Sequence, residues 1–159
     1  MSDELKIEWE GLKEFSDLLK KTNRQITKIV MEEYTDLGVL AEEGTKALAP
    51  HDEGNLEDSI NFDSAKKLGG NIIVQGGSNL EYALRRHEET YRMGVHDKYA
   101  DGRKTPDYYV SGRGRETHRK PPWRGYKPGR KYLDNAIKGI EKDYDSTNIR
   151  ILEKILGTE

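Results

Sequence analysis

Ala47-Leu48-Ala49-Pro50-His51-Asp52-Glu53-Gly54-Asn55-Leu56-Glu57-Asp58-Ser59-Ile60 is where the hydrophobic period of this chain changes. Before it, apolar residues recur every three or four positions. After it they alternate. Pro50 disfavours helical backbone at Ala49 and so ends a helix there. His51 to Asn55 reads as a polar turn. Gly54 is placed to take the positive φ that lets the chain reverse. Asp52 suits a turn as an acceptor of backbone hydrogen bonds, and Asn55 or Asp58 is expected to cap the reversal. A strand is then predicted from Ser59 to Ala65, with Ile60 and Phe62 on one face.

Upstream, Leu12, Phe15, Leu19, Ile26, Val30, Tyr34, Leu37, Ala41 and Leu48 mark one face of a helix. The run to Ala49 would span about 57 Å as a single helix. That exceeds what a small domain buries, so a break is expected near Thr22-Asn23. Leu5-Lys6-Ile7-Glu8-Trp9 alternates as a short strand does. Downstream, Gly69-Gly70 marks a hairpin turn. Asn71 to Gln75 reads as the returning strand, closed by Gly76-Gly77 and covered on both faces. Leu80 to Thr90 suits a short helix. Residues 91–129 show no sustained period, with a short strand expected around Tyr108-Tyr109-Val110. A second long helix is predicted from near Arg130, carrying Leu133, Ile137, Ile140, Tyr144, Ile151 and Ile155, with a kink at Asp145-Ser146-Thr147-Asn148.

The chain has 159 residues, which is one domain's worth, and a formal net charge of only −2. That total hides a strong asymmetry. Residues 1–82 carry 9 basic and 17 acidic side chains, whereas residues 83–132 carry 14 basic and 6 acidic. The middle segment holds 7 of the 13 aromatic residues but only 3 of the 32 Leu, Ile, Val and Phe residues. The reading is therefore an acidic body with a basic, aromatic, core-poor insertion over about 91–129. Contact between the acidic and basic surfaces is expected, within or between subunits. No stretch approaches a membrane span, and Met1 to Lys6 lacks an apolar signal core. The absence of cysteine removes disulfides, thiol catalysis and cysteine-based metal sites.

No motif supports catalysis, a cofactor or a metal. His87-Glu88-Glu89-Thr90-Tyr91 fails the zinc-protease pattern because Tyr91 stands where a second histidine is needed. His96, Asp97 and Asp101 read as solvated loop residues. Ser111-Gly112-Arg113-Gly114-Arg115 lacks the strand and the lysine of a nucleotide loop, although Gly-Arg-Gly-Arg resembles tracts that bind nucleic acid by charge. His118 lies among Arg115, Arg119 and Lys120, with no carboxylate partner evident for acid–base work.

The basic-aromatic pattern itself is the candidate site: Arg92, Lys98, Tyr99, Arg103, Lys104, Tyr108, Tyr109, Arg113, Arg115, Arg119, Lys120, Trp123, Arg124, Tyr126, Lys127 and Arg130. Tyr, Trp and Arg anchor protein interfaces. Basic residues interleaved with rings also suit phosphates and bases, so a nucleic-acid-binding protein or nuclease is the alternative.

The block Ala47 to Ile60 resembles the signature of the tailed-phage minor capsid, or tail-completion, proteins: Ala-Pro, a spacer, Asp-Thr-Gly, a polar residue, Leu and Ser-Ile. Pro50, Asp52, Gly54, Asn55, Leu56 and Ser59 carry the match, and Glu53 stands in place of the usual Thr. Glu81-Tyr82-Ala83 with His87-Glu88-Glu89 is similar to the family's Tyr-Ala and Val-Glu-Phe-Gly-Thr segment, without its Phe-Gly-Thr. Lys127-Pro128-Gly129-Arg130-Lys131-Tyr132-Leu133 is similar to its Pro-Ala-Arg-Pro-Phe-Leu approach to the last helix. The resemblance covers about 5–90 and 127–157. It implies an α+β fold, with a long N-terminal helix and a C-terminal helix packed on a small antiparallel sheet. It implies a structural, non-enzymatic virion protein: a homo-oligomeric, hexameric ring in the neck that completes the tail and joins it to the head. The alternatives within the class are a tail terminator ring and a minor capsid protein. Implied partners are adjacent neck, head-closure and tail proteins, close to DNA in the channel and not at a membrane. Implied assembly is in the bacterial host cytoplasm.

Overall fold

The computed structural model describes residues 12–88, 98–100, 103–105 and 114–157. The expected strands at Leu5–Trp9 and Tyr108–Val110 lie outside these residues. The fold is mixed helix and sheet. It is built around one long helix, α1 (Leu12–Leu48), followed by α2 (Asn55–Ser59), β1 (Ile60–Phe62), β2 (Lys66–Leu68), β3 (Asn71–Ile73), β4 (Gly76–Ser78) and α3 (Ala83–Glu88). A strand pair β5 (Lys98–Ala100) and β6 (Arg103–Thr105) comes next, then α4 (Arg115–Arg119), α5 (Tyr132–Gly139) and α6 (Glu141–Leu156).

The break expected at Thr22-Asn23 does not occur. Two residues of modest helix propensity cost only about 0.5 kcal/mol each, and good helix formers flank them. The excess length is not buried either. Residues 17–25 are exposed, and the buried face begins further along, at Glu33, Gly38 and Ala41.

The sheet also differs from the expected pattern. Gly76-Gly77 does not close a strand but opens β4, which pairs antiparallel with β1, placing Ile60 opposite Ser78 and Phe62 opposite Gly76. The hairpin β2–β3 pairs Lys66 with Ile73 and Leu68 with Asn71. Three residues, 63–65, therefore oppose two, 74–75, so the ribbon contains a one-residue offset of the kind a bulge produces. The predicted strand Ser59–Ala65 is cut short there. Helix α1 supplies partners for the interrupted backbone. Thr35 Oγ1 accepts from the Ala65 N–H at 2.9 Å, and Glu42 accepts from the Phe62 N–H at 2.8 Å. Asp63 N–H still reaches Gln75 O at 2.7 Å. Ile72, Ile73 and Val74 are half-buried, so the returning strand is covered less completely than its apolar run suggests.

The C-terminal helix breaks at Ile140, not at residues 145–148. Gly139 ends α5, and the buried Ile140 sits between the helices at φ −102° and ψ 9°. The polar run within α6 stays helical because its side chains have partners. Ser146 Oγ donates to Lys142 O at 3.0 Å, Thr147 Oγ1 accepts from Arg150 at 3.0 Å, and Asn148 accepts from Tyr34 Oη at 2.8 Å.

Leu48, Ala49, Leu56, Ile60, Ala83, Tyr132 and Ala136 form the core, so it sits at the C-terminal end of α1. Further along, α6 is clamped to α1 electrostatically. Glu33, only 6% exposed, accepts from Arg150 at 3.1 Å and from Lys154 at 2.6 Å. The Lys154 hydrogen bond, aided by Arg150, holds the Glu33 carboxyl below its usual value near 4.5 despite burial. The folded state thus binds this proton less readily than the unfolded chain. The stabilisation is complete above about pH 4.5 and is lost as pH falls through the folded-state value. Glu33→Ala is expected to cost about 1–3 kcal/mol at neutral pH. Urea denaturation should show the wild type and this variant converging at acid pH.

Candidate functional site

Of the residues singled out in the sequence, the turn block from Pro50 to Ser59 follows the C-terminal end of α1, and those from Arg115 to Arg130 belong to the segment that wraps over it. Four C=O groups at a helix end lack intrahelical partners. Here Thr45 O keeps a local donor, the Ala49 N–H at 2.9 Å, whereas Lys46 O, Leu48 O and the following Ala49 O are received by residues far away in sequence. Gly129 N–H donates to Leu48 O at 2.8 Å. Lys120 Nζ donates to Lys46 O at 2.9 Å and to Ala49 O at 2.8 Å, and it also pairs with Glu57. A cation at a helix C-terminus is favoured by the aligned peptide dipoles as well as by these hydrogen bonds.

The turn block is seated by the same wrapping segment. Thr117, 1% exposed, accepts from His51 N–H at 2.8 Å and donates to His51 O at 3.1 Å. Gly54 takes φ +89°, as the sequence predicts. The expected caps are different, however. α2 begins at Asn55 without a side-chain cap, and Asp58 N–H bonds to Gly54 O at 3.0 Å instead. The reversal is held by a short helical turn of backbone hydrogen bonds, with Leu56 buried beneath it. Ser59 lies at the end of α2, and its hydroxyl meets that of Ser78 at 2.6 Å, joining the turn to β4.

Trp123 is the wedge of the site. A Cβ on Gly44 of α1 would come within 2.5 Å of its indole, and one on Gly139 of α5 within 2.7 Å. The ring fits only because both helices present glycine at the contact. Trp123 and Tyr126 exchange two backbone hydrogen bonds of 2.9 Å, closing a tight loop. Arg124, at φ 49°, lies 4.8 Å over the indole and pairs with Asp143 of α6. That pairing holds the Asp143 carboxyl below the ordinary range.

The loop from residue 127 to the start of α5 contacts α3. Arg130 Nε donates to Glu88 O at 3.1 Å, and Lys131 Nζ pairs with the Glu88 carboxylate at 2.6 Å. The Lys131 contact, with His87 in support, lowers the Glu88 pKa, and Glu88 in turn raises that of Lys131. His87 is buried edge-on against Tyr132, with ring centroids 5.0 Å apart. Its ring nitrogens face Glu88 and Asp134. Burial raises the Tyr132 pKa, and its hydroxyl donates to Ala83 O at 3.1 Å.

The predicted basic-aromatic site therefore divides. Lys120, Trp123, Arg124, Tyr126 and Arg130 make contacts within the chain. Arg115, Arg119 and Lys127 are exposed, and Arg119 pairs with Glu116 on its own helix at 2.9 Å. Lys98, Tyr99, Arg103 and Lys104 fall in the β5–β6 pair, with Tyr99 opposite Lys104. Arg92, Tyr108, Tyr109 and Arg113 lie outside the described residues, as do His96, Asp97 and Asp101. His118 is exposed on α4. Among the described residues no group of His, Asp or Glu is arranged to hold a metal ion, and no helix is long and apolar enough to cross a membrane.

Sequence reasoning missed Thr117, Gly44 and Gly139 as partners of this site. The one advance signal was Ala49-Pro50: a helix stopped by proline needs donors for its last carbonyls. Compared with protein-family models, curated proteins and solved structures, the chain matches none.

Trp123→Ala is expected to cost about 2–4 kcal/mol, below the fully buried tryptophan range because one edge of the ring meets solvent. Gly44→Ala should cost about 1–3 kcal/mol through overpacking against the same indole. In a double-mutant cycle measured by chemical denaturation, the Gly44→Ala penalty should largely vanish in the Trp123→Ala background. Gly54→Ala is expected to cost about 1 kcal/mol or more through its left-handed backbone, with a lowered melting temperature as the readout.

Proposed function

We propose that this chain is a non-enzymatic structural protein of a tailed-phage neck. It forms a homo-oligomeric ring, hexameric by the family's pattern, that completes the tail and joins it to the head. Its partners are the adjacent neck, head-closure and tail proteins. Its place is the virion, after assembly in the bacterial host cytoplasm.

The observation that carries this reading is the block Ala47–Ile60. Its proline, glycine and polar positions resemble the tail-completion signature and occur where a long helix turns into the first strand, with Gly54 at φ +89°. The blocks around Tyr82-Ala83 and Lys127–Leu133 follow in the same order, and they pack against this turn and the core beside it. The internal use of Lys120 and Arg124 also favours a structural role over phosphate binding, because both cations already have carboxylate partners.

The test is electron microscopy and native mass spectrometry of the full chain, alone and mixed with tails lacking their neck. Rings seated on the head-proximal tail end are expected. A chain that never joins tails or heads would overturn the reading. Binding to free DNA with a log–log salt slope of about −0.9 per phosphate contact would establish the nucleic-acid alternative instead.

A further inference from the structure

A strand must have an edge to pair with. Leu5-Lys6-Ile7-Glu8-Trp9, expected from its alternation to be a strand, sets Leu5, Ile7 and Trp9 on one face and Lys6 and Glu8 on the other. Such a segment needs an apolar surface on one side, water on the other, and free backbone groups along its length.

The described residues offer such a place. A groove of about 600 Å³ lies between α1, the strands and α5–α6, lined chiefly by Tyr34, Phe62, Ile72, Val74 and Ile137. Lys138 and Glu141 are its only charged lining, so it selects apolar side chains rather than charge. The strand edge beside it is also unfilled. β1 and the residues after it turn their edge to α1, where Glu42 and Thr35 accept from the Phe62 and Ala65 N–H groups. On the opposite edge, β3 and β4 each pair with one strand only. An edge of this kind presents N–H and C=O groups ready for another strand. A two-stranded ribbon is itself marginal, and a third strand consolidates it.

The segment cannot reach the groove of its own copy. Leu5 lies seven positions before Leu12, at most about 25 Å away when fully extended. From Leu12 the chain continues as one helix, and the 22 positions to Tyr34, where α1 first lines the groove, span about 33 Å. The other expected strand, Tyr108-Tyr109-Val110, sets only two residues on one face and a ring on the other, a poorer match to a one-sided groove.

We propose that residues 5–9 of one copy add as a strand to the β3 edge of the next copy, with Leu5, Ile7 and Trp9 filling the groove. In strand addition, main-chain hydrogen bonds hold the segment and alternate side chains select it. The donor and acceptor surfaces differ, so the contact is head-to-tail, the type that closes into a ring when the rotation between copies allows it. The proposal rests on the ring reading and gives it a contact between copies.

The cysteine-free sequence makes cross-linking a direct test. In the full chain, Ile7→Cys is combined in turn with Ile72→Cys and with Val74→Cys, and circular dichroism checks that each reduced protein folds. Each is then oxidised under conditions where native mass spectrometry shows the oligomer. The expected result is a disulfide ladder extending to the full ring for at least one pair, with nothing larger than a dimer from any single-cysteine chain. Ile7→Asp in the otherwise unaltered chain should weaken association at least tenfold, whereas Lys6→Ala and Glu8→Ala, on the other face, should change it less than about twofold. Rings that form with neither pair bridging overturn the added strand and leave the ring reading standing. A disulfide within one chain, from these pairs or from Tyr109→Cys with Ile72→Cys, overturns it as well. A chain that stays monomeric, alone and with tails, overturns both.

Discussion

The end of α1 is the constraint on which the rest of the structure depends. A helix of this length stops at Leu48 because Pro50 follows, and it stops inside the core. Unpaired carbonyls there cost about 1–3 kcal/mol each if left without donors. The chain meets the need with groups some 70–80 residues downstream: the Lys120 ammonium and the Gly129 N–H. The segment carrying them must cross the helix end, and in crossing it seats Thr117 on the turn block and Trp123 between α1 and α5. The core of Leu48, Leu56, Ile60 and Tyr132 lies directly beneath.

The same requirement explains the charge pattern. A near-neutral total divides into an acidic body and a basic middle segment, and two cations of that segment pair with acids outside it. Lys120 meets Glu57 and Arg124 meets Asp143, while Lys131 meets Glu88 within the segment. These contacts tie α2, α6 and α3 to one wrapping segment. Helix α6 is held separately through the buried Glu33. The two clamps act at different points along α1, and the groove lies between them.

What was legible in advance follows from local chemistry. The helix stop at Pro50, the positive φ of Gly54, the Gly69-Gly70 hairpin and the amphipathic stripe of α1 each depend on residues within a few positions of one another. The misplaced features share a different cause. Thr22-Asn23 looks like a break only if the helix must be buried throughout, and it is not. Asp145 to Asn148 looks like a kink until Tyr34 and Arg150 provide partners. Gly76-Gly77 looks like a strand end until Phe62 lies over Gly76 on the paired strand.

The sequence by itself determined the α+β class, the reversal at Gly54 and the segregation of charge, because backbone preference, hydrophobic period and composition act over short range. Only the tertiary structure decided that Lys120 and Trp123 serve the fold, since neither a helix-end carbonyl nor a glycine gap on a distant helix is visible from the neighbours of residue 120 or 123. A basic, aromatic stretch has the same composition whether it faces a partner or its own acidic body. The deciding quantity is the distance to unpaired carbonyls and carboxylates, and the chain's path through space sets that distance.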